Sequence, residues 1–284
     1  MLPAWVLERV APDSWEPVGG GYTRAPKLRV RLQSGESRFV KFAENDELAA
    51  RSIVAETRVY GSVTAPFLPT LYDMFVADGR ALIVLEDLTD ATWPPPYPDD
   101  VAPLFEALEA VASIAAPPDL PRLAEREETP WQRIAREPEL VLGLGVCSES
   151  WLQRALPALL DAEARVPLSG DRLVHYDVWA ENLCFTARGA VLVDWAEARI
   201  GNPAIDVAFA LLSLQVEVAV TPQIEDEPAL AAFVTGVIAA EAAAPLPAWT
   251  ASDSTLRADQ LDDLRVALRW VAAQLALPPP HAEL

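Results

Sequence analysis

The chain has 284 residues, enough for one large or two modest domains, and its 51% hydrophobic and 23% charged composition suits a folded protein rather than a disordered one. Its formal charge of −20 repels phosphodiester backbones and anionic lipid heads, which speaks against nucleic-acid and membrane partners and for solubility or a cationic ligand. Two distant cysteines, Cys147 and Cys184, exclude a disulfide framework or a thiolate zinc cluster, and no basic leader or apolar span of about 18 residues occurs, so a cytoplasmic protein is expected.

Trp15 to Val18 reads as a strand running into Gly19-Gly20-Gly21. Lys27 to Leu32 and Ser37 to Phe42, joined by Gln33-Ser34-Gly35-Glu36, form a hairpin pattern. The spacing over Glu44 to Val63 predicts a helix, with Ala49, Ile53, Tyr60 and Val63 on one stripe and Glu56 in its middle. Tyr72 to Val76 and Ala81 to Glu86 predict a further strand pair, turning at Asp78-Gly79. After Asp87-Leu88 the composition shifts. Pro94-Pro95-Pro96 and Pro98 fit neither helix nor central strand, and beyond them helices are expected near 101–116, 130–143, 149–165, 203–218, 226–242 and 255–276. A strand-rich island, Arg172 to Trp195, interrupts the helices. The expected fold class is α+β and bilobal: a β-rich lobe over 1–88 and a larger helical lobe over 89–284, with a ligand cleft at the junction.

Chemistry concentrates in the island. Leu173-Val174-His175-Tyr176-Asp177-Val178-Trp179-Ala180-Glu181-Asn182-Leu183 places Asp and Asn five apart between apolar strands, and Val191-Leu192-Val193-Asp194 is a second apolar strand ending in a carboxylate. A hairpin over this stretch brings Asn182 and Asp194 to neighbouring strand ends, near Asp177. Phosphoryl transfer needs a carboxylate to orient the attacking hydroxyl, here Asp177, and hard oxygen ligands for magnesium, here Asn182 and Asp194. Taken singly, Asp and Asn in such a loop also serve as turn caps.

The β-rich lobe carries a second signal. Lys41 lies inside the apolar strand Arg38-Phe39-Val40-Lys41-Phe42. Glu56 on an apolar helix stripe costs several kcal/mol if buried alone, so a facing cation is expected, with Lys41 the best placed and Arg51 or Arg58 the alternatives. A lysine that snorkels to solvent also fits.

The His175-x-Asp177-x-x-x-x-Asn182 pattern followed by an apolar strand ending in Asp194 resembles the catalytic loop and metal-binding segment of protein kinases. Asp194-Trp195, followed by Gly201-Asn202-Pro203-Ala204-Ile205-Asp206, and the Leu85-Glu86-Asp87-Leu88 connection resemble the aminoglycoside phosphotransferase and choline kinase branch of that fold. The resemblance implies a protein-kinase-like fold that uses ATP and Mg2+ to phosphorylate a hydroxyl of a small molecule, such as an aminoglycoside or related amino sugar. It further implies that Lys41, oriented by Glu56, contacts the phosphates and that Glu86 and Leu88 face the adenine, with Ile83 and Leu85 in its apolar wall. Gly19 to Gly21 are a weak signal for a loop over the phosphates, since they do not form G-x-G-x-x-G and three glycines are more often just a turn. His175 and Asp206 would brace the catalytic loop. Asp206 also suits the first turn of a helix capped at Asn202-Pro203.

The chain departs from many relatives at Tyr176, where they carry Gly, and at Val178-Trp179, where Trp179 could stack on an acceptor or pack inward. The acidic stretch Glu225-Asp226-Glu227, with Glu217 nearby, is a hint toward an amine-bearing acceptor, although acidic loops are commonly just solvated. Choline, homoserine, sugars and macrolides are alternative acceptors, and a non-catalytic nucleotide-binding protein is the alternative from another class. The segment after Asp194 is short for the activation loop of a protein kinase. His281, in the Pro-rich tail, is expected to be solvated, and Trp93, Trp131, Trp151 and Trp270 to be core.

Overall fold

The computed structural model describes residues 2–125, 127–214, 225–248, 250 and 255–280. His281, Glu217 and the end of the helix expected over 203–218 lie outside these residues.

The N-terminal part is a five-stranded antiparallel sheet in the order β1-β2-β3-β5-β4. Its strands are β1 (Pro12–Pro17), β2 (Lys27–Leu32), β3 (Ser37–Glu44), β4 (Leu71–Ala77) and β5 (Arg80–Glu86). Alternation along the inner strands splits their side chains between two faces. Val30, Val40, Leu82 and Val84 face one way and are covered by Val6 of α1 (Ala4–Val10) and by Leu2 just before it. Ile83 and Leu85 face the other way and join the main core with Ile53, Val59 and Tyr60 of α2 (Glu47–Tyr60). The Asp46 carboxylate caps α2 by accepting from the Ala49 amide at 3.0 Å. The sequence contained no signal for α1, because a seven-residue helix without a side-chain cap has neither periodicity nor a start motif. The strand expected at Trp15 to Val18 begins earlier, at Pro12, and leaves Trp15 exposed on the sheet edge.

A connection from Asp87 onward leads into a mainly helical second part. It contains α3 (Ala102–Ser113), α4 (Pro130–Arg136), α5 (Glu139–Leu142), α6 (Glu149–Ala164), α7 (Ala204–Leu214), α8 (Glu227–Ala243) and α9 (Leu256–Gln274). The single helix expected over 130–143 is two, because Pro138 has no N–H to donate and displaces the preceding residue from helical geometry. Helix α8 is buried on nearly every side, from Ala229 through Ala239, and forms the axis of this part. The Trp131 indole donates to the Ala232 carbonyl at 2.7 Å. Trp131 and Trp151 are core as expected. Trp93 is not: it lies in the connection, 37% exposed, with its indole donating to the Leu88 carbonyl.

Between α6 and α7 the chain forms two small ladders. Strand β6 (Arg172–Val174) pairs with β9 (Arg199–Gly201), and β7 (Leu183–Thr186) pairs with β8 (Gly189–Leu192). The catalytic-loop candidate runs from β6 to β7. Thr92 of the connection exchanges two backbone hydrogen bonds of 2.9 Å with Phe185 of β7, which fixes the connection against this region.

Candidate active site

Register places the loop residues. Closing the β7–β8 hairpin sets the Val193 amide on the Asn182 carbonyl at 2.9 Å, so Asn182 and Asp194 lie at adjacent strand ends. The Asn182 side-chain amide donates to both the Asp177 backbone carbonyl, at 3.0 Å, and its carboxylate Oδ2, at 2.8 Å. That spends both N–H groups on Asp177 and leaves Asn182 Oδ1 as the atom able to meet a cation.

Two residues here hold left-handed backbone: Tyr176 at φ 69° and Asp194 at φ 58°. Neither is glycine, so each costs of order 1–3 kcal/mol unless its surroundings enforce it, and such strain gathers at functional sites. The enforcing groups are visible. The buried Asp206 carboxylate, in the first turn of α7, accepts the His175 amide at 2.7 Å and the Tyr176 amide at 2.8 Å. The Tyr176 ring packs edge-on against Phe209, with Arg199 over its face. Asp206 is therefore a loop brace as well as a first-turn carboxylate. Burial pushes its pKa up to about 7, against the pull of the two amides.

His175 is fully buried and lies 4.4 Å from the Trp195 ring. Its Nε2 meets the Val193 carbonyl at 3.0 Å while Nδ1 accepts from the Asp177 amide at 3.3 Å. This is the pattern of a neutral imidazole with hydrogen on Nε2, and burial lowers its pKa to about 4. His175 thus ties the loop to the Asp194 strand. Trp179 packs edge-on against Phe209, so it faces inward.

From the sheet, the Lys41 ammonium reaches Glu56 Oε1 at 2.6 Å and Asp194 Oδ1 at 3.9 Å. Lys41 and Glu56 are each 3% exposed. Lys41 is thus the cation that Glu56 required; Arg58 instead lies 3.9 Å from Asp119. Burial works against the Lys41 ammonium, but Asp194 and Glu56 outweigh it and hold its pKa above the ordinary value. Burial raises Glu56 to about 7, with Lys41 pulling the other way.

The connection is fastened at both ends. Arg188, in the β7–β8 turn, holds Glu86 with two bonds of 2.7 Å and donates to the Pro66 and Leu68 carbonyls. Asp87 accepts from Thr89 and pairs with Arg29 of β2 at 3.1 Å. The Glu86 side chain is therefore occupied, and its amide donates to the Thr70 carbonyl at 2.9 Å, so its own backbone carbonyl is what it could offer a base. The Leu88 carbonyl receives the Ala91 amide and the Trp93 indole.

Burial raises the Asp177 pKa well above the ordinary carboxylate range, and Glu241, Asp194, Glu197 and Glu181 add to it in that order. These carboxylates come from α8, from the strand end after β8, and from the short turns Trp195–Glu197 and Ala180–Asn182. Asp263 of α9 rises to about 7 through burial, then through Glu181, Asp259 and Asp262. The carboxylates whose charge bears on Asp177 come from separate elements, which no sequence run could reveal. Two members of the stretch at 225–227 have other partners: Asp226 caps α8 and pairs with Arg165 at 2.8 Å, and Glu227 accepts from Gln274.

Sequence comparison identifies no match among curated proteins. Among solved structures the fold has several counterparts. The GDP and kanamycin complex of APH(2")-IIIa is 15% identical with a TM-score of 0.61, over 95% of this chain and 97% of that one. The GDP complex of wild-type aminoglycoside 2'-phosphotransferase-IIIa is 15% identical with a TM-score of 0.59, over 95% and 96%. A choline/ethanolamine kinase family protein from Mesorhizobium loti is 14% identical with a TM-score of 0.58, over 93% and 91%. At these identities the likeness is one of fold, and that fold is the protein-kinase-like one expected from the sequence. A profile of the phosphotransferase enzyme family, APH, matches residues 14–246, most of the chain, and the protein belongs to that family.

Proposed function

We propose that this protein transfers the terminal phosphate of Mg-ATP to a hydroxyl group of an amine-bearing small molecule, with an aminoglycoside or related amino sugar as the leading acceptor class. The observation that carries the reading is the meeting of Lys41, Asp194, Asn182 and Asp177 at the junction of sheet and helices. Lys41 lies within ion-pair reach of Asp194, and Asn182 holds Asp177.

In this reading Asp177 accepts a hydrogen bond from the acceptor hydroxyl and aims its oxygen. Lys41, kept in place by Glu56, binds nucleotide phosphate oxygens, and the backbone between Glu86 and Leu88 faces the base. His175 and Asp206 hold the loop. Asp194 and Asn182 Oδ1 would hold magnesium. The donor set fits: a carboxylate and an amide oxygen at adjacent strand ends are hard ligands, and magnesium characteristically takes one or two protein oxygens together with phosphates and water. When bound, the ion would neutralise charge on the phosphates during transfer. The chain's own contribution is positioning and fixed charge.

The acceptor class follows from charge. Glu241, Glu197 and Glu181 bear on Asp177 from separate elements, and an acceptor whose ammonium groups offset their charge suits such surroundings. Choline-like acceptors meet the same requirement and are the second reading. The carboxylates at 225–227 are not needed for it. No helix of the described residues is long and apolar enough to cross a membrane. We place the reaction in the cytoplasm and divide the chain functionally at residue 88.

The experiment is ADP release from Mg-ATP, with Mg-GTP in parallel, across aminoglycosides, choline, homoserine, sugars, amino sugars and macrolides. Release is expected with amine-bearing acceptors and not with Asp177→Asn. Release with neutral sugars only would overturn the acceptor class. Equal turnover by wild type and Asp177→Asn would overturn the role of Asp177.

A further inference from the structure

Of the 22 basic residues in the chain only two are lysines, Lys27 and Lys41. They sit directly opposite each other in the β2–β3 ladder. A compact ammonium on a flexible stem thus occurs only at this one place, while every other basic position is a guanidinium. Lys41 has its carboxylate partner. Lys27 has none: among the described residues no carboxylate lies within 4.0 Å of its nitrogen, and its hydrogen bond is to the Gly20 carbonyl, at 2.7 Å.

That bond lies in the glycine turn. Gly20 and Gly21 have φ of 86° and 68°, a backbone that side chains other than glycine's seldom allow. A Cβ on Gly21 would stand 2.3 Å from Lys27 Nζ, so the absence of a side chain there opens the space that the ammonium fills. The Val18 amide bonds to the Lys27 carbonyl at 2.9 Å and closes the turn over its stem. The half-buried ammonium feels burial first and Lys41 second, both lowering its pKa, with weaker compensation from Asp194 and Glu56. Two cations held side by side at the turn, one of them lacking a counter-ion, form a local arrangement suited to a polyanion in a chain that is otherwise strongly acidic.

We infer that Lys27 is a second phosphate-binding cation of the cleft, which exchanges the Gly20 carbonyl for terminal phosphate oxygens of the nucleotide and so clamps the glycine turn over them. This rests on the proposal above that a Mg-nucleoside triphosphate occupies the cleft. Gly19 to Gly21 alone made a weak phosphate motif. The lysine one strand away supplies the charge that the turn lacks.

The test uses the whole protein and measures binding rather than turnover. Mg-ATP, Mg-GTP and AMP are titrated calorimetrically into wild type, Lys27→Met and Lys27→Arg. Lys27→Met is expected to lose at least tenfold in affinity for the triphosphate, with AMP changed less than twofold and Lys27→Arg in between. In parallel, wild type is acylated with an amine-reactive ester and read by mass spectrometry, which needs no variant to fold. Lys27 should be modified in free protein and protected by saturating Mg-ATP but not by AMP. If wild type binds Mg-ATP while Lys27→Met binds it equally, or while Lys27 labels unprotected, the role of Lys27 is refuted and the nucleotide reading stands. If wild type binds neither triphosphate, both fall.

Discussion

Replacing Lys41 with methionine leaves Glu56 buried without its cation, and the cost can be worked from the structure. The pair is 2.6 Å apart with side chains only 4% exposed on each partner, so solvent screens it little. Burial already drives Glu56 from 4.5 to about 7 with Lys41 present. Without Lys41 the carboxyl takes up a proton on folding. Removing one partner of a buried pair in this way costs on the order of 3–5 kcal/mol. The folded pKa is raised, so the native state binds more protons than the unfolded state from pH 4.5 up to the folded value, and stability falls as pH rises through that window. In wild type that value is about 7 and without Lys41 it rises further, so the deficit of Lys41→Met, measured by urea denaturation, should be about 3 kcal/mol or more above pH 7, where wild-type Glu56 ionises and the variant's does not, and should narrow below pH 7. Glu56→Met should cost less, because Asp194 stays 3.9 Å from the ammonium. The double variant Lys41→Met/Glu56→Met should return to within about 1 kcal/mol of wild type, since an apolar pair of similar volume avoids both desolvation costs. All three should lose triphosphate affinity. Single losses below about 1 kcal/mol, or a double variant whose loss equals the sum of the two, would refute the buried-pair argument.

Asp206→Ala orphans the buried His175 and Tyr176 amides at about 1–3 kcal/mol each; Asp206→Asn, whose amide oxygen can keep one of them, should lose less, and thermal unfolding orders the two. Arg188→Ala removes the tie from the β7–β8 turn to Glu86. With side chains 36% and 24% exposed, that tie is worth about 1 kcal/mol after screening, so calorimetry should show a small stability loss that shrinks in high salt, together with a few-fold loss of nucleotide affinity.

The sheet and the loop were legible in the sequence because both depend on local order. Alternation from Lys27 to Phe42 gave the β2–β3 hairpin, and the apolar strand ending in Asp194 gave the second strand of the β7–β8 hairpin. Lys41 with Glu56 was legible because a carboxylate on an apolar stripe demands a cation. What was not legible depends on distant elements meeting. Helix α1 is defined by the sheet face it covers through Val6 rather than by its own pattern. Arg188 meets Glu86 across 102 positions. The carboxylates that bear on Asp177 arise from α8, from the strand end at Asp194 and from two short turns, whereas the contiguous run at 225–227, only a hint in the sequence, supplies a helix cap. Lys27 looked like one strand residue among several until pairing set it beside Lys41.

In the proposed division of labour, Asp194 serves the magnesium-bound nucleotide and Asp177 serves the acceptor. The direct measurement is calorimetric titration of ATP, with and without magnesium, into wild type, Asp177→Asn and Asp194→Asn. Wild type should bind in a magnesium-dependent way, Asp177→Asn with affinity within about threefold of it, and Asp194→Asn should lose the magnesium-dependent part, tenfold or more. No nucleotide binding by wild type, or equal losses in the two variants, would contradict it.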